Sequence, residues 1–60
     1  MFNVNDTLLC IDNTGAEFKL VLWRLYKVEK VYKNSVLVLD EWGNYSRYGN
    51  SRFTLISKGE

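Results

Sequence analysis

Histidine and proline do not occur in this 60-residue chain, and cysteine occurs once, at Cys10. Without histidine there is no Ser-His-Asp or Cys-His arrangement and no imidazole metal site. A single cysteine makes no intramolecular disulfide, so packing alone holds the fold, which suits a reducing cytoplasm better than a secreted scaffold. Charge of neither sign dominates. Eight Lys/Arg face seven Asp/Glu, a formal net charge of +1, whereas a phosphate binder usually carries a clear positive excess. Nucleic acid is therefore a weakly supported partner, although a local basic patch is compatible with this balance. Long apolar runs are missing as well: the longest is a few residues, against the ~20 of a membrane helix. "MFNVNDT" (1–7) has no basic region leading into a long apolar one, so no signal peptide is visible. The four glycines are scattered and form no phosphate-cradling loop. Asp40 and Glu41 are adjacent acids, but they stand at a turn, where acids are common for local reasons. No catalytic residue, metal or cofactor is expected, and the chain does not read as an enzyme.

What remains is a small domain rich in apolar and aromatic side chains. The 47% apolar share, with two Trp, four Tyr and three Phe, is too high for a disordered tail. Residues 1–60 make one domain, near the lower limit of independent folding, where only about 60% of the unfolded surface is buried. Turn residues cluster at "DNTGAE" (12–17), "YKNS" (32–35), "DEWGNY" (40–45) and "YGNS" (48–51). The runs between them predict five short strands. "TLLCID" (7–12) and "SVLVLD" (35–40) read as strands buried on both faces. "LYKVEKVY" (25–32) sets Tyr26 and Val28 against Leu25, Lys27, Glu29 and Val31. "NYSRY" (44–48) and "RFTLIS" (52–57) complete the set. The predicted interior is Leu8, Cys10, Tyr26, Val28, Val36, Val38, Phe53 and Leu55, with Cys10 acting as a small buried hydrophobe. Five closely spaced strands suggest a small all-β barrel.

One segment fits a second fold equally well on local signals. Thr14 and Glu17 have the spacing of a capping box, and Phe18, Leu22, Leu25 and Tyr32 recur at roughly helical intervals. A helix over about 15–32 gives the alternative, an α+β domain with that helix on a short antiparallel sheet.

Taken in order, Phe2, Asp6, "CIDN" (10–13), Leu20, Tyr26, Val28, Asp40, Gly43 and "SRF" (51–53) follow a pattern spanning nearly the whole chain. In this the chain resembles the small SH3-like barrel proteins of bacteriophage and mobile-element reading frames. The resemblance implies a five-stranded barrel with 13–24 as a long first loop. It also implies a phage-type accessory protein in the host cytoplasm that docks on a host or phage protein, modulating or inhibiting it. Two departures stand out. Asn5 replaces a glycine ahead of Asp6, and Asn tolerates the same positive φ. Trp23-Arg24 stands where the pattern has Gly-Lys.

Two aromatic groups are candidate contact surfaces. Trp23 either lids one end of the core or serves with Arg24 as an exposed anchor, since Trp, Tyr and Arg dominate binding hot spots. Trp42, Tyr45 and Arg47 form the second group. Trp42 precedes Gly43 in a hairpin turn, Tyr45 and Arg47 share one side of a strand, and Tyr48 points to the other. The first loop and the later hairpin approach each other in such barrels, so Trp23 and Trp42 are expected to border one groove. Lys27, Lys30 and Lys33 read as a solvated face, with Lys27 and Lys30 on opposite sides of their strand. A protein partner is favoured through Trp23, Arg24, Trp42, Tyr45 and Arg47. The alternatives are a nucleic-acid-binding barrel, with the aromatics stacking on bases, and a structural homo-oligomer.

Overall fold

The computed structural model describes residues 2–59. The described residues form five strands: β1 (Thr7–Cys10), β2 (Leu25–Val31), β3 (Ser35–Leu39), β4 (Tyr45–Gly49) and β5 (Phe53–Ser57). Apart from a single 3₁₀ turn at Asn50–Arg52, they contain no helix. All five predicted strands are present, each within a residue or two of its expected span. They form one antiparallel sheet in the order β4-β3-β2-β1-β5. Edge strands β4 and β5 do not pair with each other, so the sheet is open.

The sheet nonetheless folds back on itself. Asn50 N–H donates to Asn34 O (3.0 Å), and Ile11 and Asp12 N–H both donate to Arg52 O (2.8 and 3.3 Å). Three residues thus carry the chain from the β2–β3 turn to the end of β1. Alternation along the strands supplies the interior: Leu8, Cys10, Tyr26, Val28, Val36, Val38, Tyr48 and Phe53 are buried. Burying such side chains contributes about 1.5–3 kcal/mol each for the larger aliphatics. Tyr26 and Phe53 meet edge to face, with centroids 6.3 Å apart.

Four sequence expectations change. The alternative, a helix over about 15–32, does not form. Gly15 takes φ +80°, outside the helical region, and one isolated turn follows, with Lys19 and Leu20 N–H both donating to Ala16 O (3.0 and 2.9 Å). The Glu17 carboxylate does bond a backbone amide, that of Gly15 (3.0 Å), as a capping residue does, but no helix continues from it. Next, β1 and β3 are buried on one face only, with their outward residues half-buried or exposed. Leu55 faces the same way as Leu8, with which it pairs, yet is 37% exposed, because an edge strand has no outer neighbour to cover it. Finally, Lys27 and Lys30 do not point oppositely. Val28 pairs with Val38 and Lys30 with Leu37, leaving Glu29 as an unpaired β-bulge residue that turns Lys30 to the outer face.

The N-terminal turn is tied to the C-terminal segment. Asn5 has φ +75°, and Asp6 N–H donates to Asn3 O (3.1 Å). The buried Asp6 carboxylate accepts from Asn3 N (2.8 Å) and Gly59 N (3.0 Å). The Gly59 and Asn3 amides hold its carboxyl below the usual carboxylate range. Gly59 lies so close to the Asn5 backbone that a Cβ there would overlap it.

Candidate functional site

The 11–24 loop and the 40–44 turn lie at the same end of the sheet and bond to each other. Glu41 N–H donates to Lys19 O (2.8 Å). The Arg24 guanidinium pairs with the Glu41 carboxylate at 2.9 Å, the only ion pair among the described residues. Tyr26 anchors the junction from below, its hydroxyl donating to Glu41 (2.7 Å) and accepting from Val21 N–H (2.8 Å). Burial, and then the Glu41 carboxylate, push the Tyr26 hydroxyl up to about 12. The Lys19 ammonium stands 5.8 Å from the Trp42 ring centre, within cation–π range.

The 40–44 turn is built around Asp40, which is buried. Its carboxylate accepts from Trp42 N (3.0 Å), Asn44 N (3.0 Å), Ser46 Oγ (3.2 Å) and Tyr48 Oη (3.0 Å). Burial pushes this carboxyl up, but these hydrogen bonds outweigh it and keep the group below the usual carboxylate range. Gly43, at φ +81°, closes the turn, and Trp42 is held outward at 63% exposure.

In the first loop the packing role belongs to Leu20, which is fully buried. Asn13 Nδ2 donates to Leu20 O (3.0 Å) and fixes the segment there. Trp23 is not the lid: it is 64% exposed. Arg24 N–H donates to Val21 O (3.2 Å), and Trp23, the third residue of this turn, has φ +67°. That is the φ pattern of a type II turn, whose third position glycine normally fills. Trp23 is locked there because its N–H donates to Cys10 O (2.7 Å) while Cys10 N–H donates to Arg24 O (3.0 Å). Left-handed backbone costs a bulky residue about 1–2 kcal/mol.

The five candidate residues therefore divide. Trp23, Arg24 and Trp42 share one end of the molecule, joined through Glu41 and Lys19. Tyr45 stands on the outer face of β4 opposite Leu39. Arg47, paired with Leu37 one outward position further on, lies 4.1 Å from the Tyr32 ring centre and donates through Nε to Ser35 Oγ (3.4 Å). Phe18 was missed as a site residue, although at 82% it is more exposed than either tryptophan. The sequence carried no signal for it, because Phe18 also fits the helical spacing of the alternative fold. Val21 and Leu22 add exposed apolar surface on the same loop. No pocket opens between Trp23 and Trp42, and the described residues hold no cluster of three or more potential metal ligands. No described helix is long and apolar enough to cross a membrane. No family model, curated protein or solved structure matches the chain.

Proposed function

We propose that this protein is a binding module that docks on another protein through the end of the sheet carrying Phe18, Trp23, Arg24 and Trp42. The supporting observation is Trp23, a large apolar ring kept in solvent at a backbone position that favours glycine or asparagine and disfavours bulky residues. Backbone strain of this kind persists where a site has a use for it. The indole does not fill the core, so its benefit lies outside the fold. Arg24 is fixed beside it by Glu41, which Tyr26 holds in turn, and presents a pre-oriented guanidinium. Tryptophan and arginine are the residue types most enriched at hot spots.

The wider reading follows the family resemblance: a phage-type SH3-like barrel, acting in the host cytoplasm as an accessory factor that modulates or inhibits a host or phage protein. The strand order and the back-folding of the sheet are compatible with barrel closure. The test is a paired capture from bacterial lysate with the native protein and with Trp23→Gly, quantified by mass spectrometry. Calorimetry on the purified captured protein follows. Trp23→Gly should retain the fold and weaken binding by about 2 kcal/mol or more. Equal affinity for both forms would end this assignment.

A further inference from the structure

The near-zero net charge conceals a segregation of charge. Asp6 and Asp40 are buried in amide and hydroxyl shells. Asp12 and Glu17 bond loop amides, and Glu41 is paired with Arg24. The exposed outer face of β2–β4 carries Lys27, Lys30 and Arg47, with Lys33 in the next turn and Glu29, at the bulge, as its one described acid. None of these four cations pairs with a carboxylate among the described residues.

From this arrangement we infer a second binding surface, for single-stranded nucleic acid, along the outer face of β2, β3 and β4. Lys30, Leu37 and Arg47 stand in one cross-strand row. With strands about 4.8 Å apart, the two cations are roughly 10 Å apart across the sheet. Lys27 extends the charge along β2. This strand is central, so its lysines do not serve to block edge pairing. The bulge at Glu29 is what places Lys30 on this face rather than in the interior. Arg47 lies over Tyr32, and its terminal NH₂ groups bond no described residue, leaving donors for a phosphate. Tyr45, exposed on the same face, supplies a ring on which a base can stack. Cations that follow a backbone, with an aromatic platform beside them, are the elements of sequence-tolerant single-strand recognition. An acidic protein surface would use the cations but gain little from the ring.

The test is fluorescence anisotropy with a labelled 20-nucleotide oligo-dT, from 50 to 200 mM salt. Binding should weaken as salt rises. The slope of log K against log salt should shrink by about 0.7 for each of Lys27→Gln, Lys30→Gln and Arg47→Gln. Tyr45→Ala should lower affinity about 10-fold with the slope unchanged. Trp23→Gly, which impairs the proposed protein contact, should leave oligo-dT binding intact, so the two surfaces succeed or fail separately. Three results would overturn the inference: no binding at 50 mM salt, unchanged slopes in all three charge variants, or poly-L-glutamate binding as tightly as oligo-dT with Tyr45→Ala inert. Circular dichroism of each variant checks that the fold is retained.

Discussion

Two turns in the first loop have the same hydrogen-bonded form and opposite chemistry. At Asn13–Ala16, Ala16 N–H donates to Asn13 O (2.9 Å), and the third residue is Gly15 at φ +80°. At Val21–Arg24, the equivalent bond is 3.2 Å and the third residue is Trp23 at φ +67°. Glycine meets the backbone demand without strain. Tryptophan meets it at a cost, and its ring fills no interior space. Elsewhere the chain meets this demand with glycine, at Gly15 and Gly43, or with asparagine, at Asn5, so Trp23 is its one bulky residue in left-handed backbone among the described residues. The turn around Asp40 is a third case, in which every strong bond points inward and stabilises the fold.

The largest effect is expected at that third turn. Asp40→Ala strips partners from two amides and two hydroxyls, so urea unfolding should show a loss on the order of 3 kcal/mol, given ~1–3 kcal/mol per buried donor left unsatisfied. A loss below about 1 kcal/mol would mean water replaces the carboxylate, and the contrast with the first loop would weaken. Next comes Gly15→Ala. No atom lies within 4 Å of the added Cβ, so the expected loss of about 1 kcal/mol is conformational only. Trp23→Gly should have the opposite sign. Relief of the left-handed strain outweighs the added freedom of the unfolded chain, and the melting temperature should rise by about 2–4 °C. A variant more stable yet unable to bind would sharpen the contrast between the two turns, whereas a fall of 10 °C would make Trp23 structural.

A separate set of effects is in pH. The Asp6 and Asp40 carboxyls sit below their unfolded range of about 3.9. The stability they add is present above that range and is lost as acid passes through their lower folded values. Asp40→Asn should flatten this acid limb in thermal melts. Tyr26 behaves oppositely. Its hydroxyl is raised to about 12 against about 10 unfolded, so its contribution is complete below pH 10 and declines from 10 to 12. Tyr26→Phe should reduce the alkaline slope, leaving the part due to Tyr48, which burial and then Asp40 also push up.

The strands were legible because turn residues bracket each one, whereas the continuous apolar runs of β1 and β3 concealed which face looks outward. Asn5 was legible as a positive-φ residue for its side-chain chemistry. Leu20 was not, because a loop residue has no periodicity to show which way it points. Nor was the burial of Asp40, which depends on Ser46 and Tyr48 arriving from the next strand. Trp23 was readable as unusual but not as exposed, since lid and anchor require the same residue type. The outward turn of Lys30 was hidden for a different reason: a bulge is a property of two strands, and β2 read alone gives no sign of where its pairing slips.

That slip makes β2 a strand with two phases. Before Glu29, odd-numbered residues look outward; after it, even-numbered ones do. Deleting Glu29 alone would remove the bulge and join the two phases, leaving Val28 inward, Lys30 outward and Val31, which packs against the core, inward. Exchanging Glu29 for another residue would leave the phase untouched. In β2, then, what keeps Lys30 outward is that the backbone at Glu29 leaves the ladder, and not which side chain stands there.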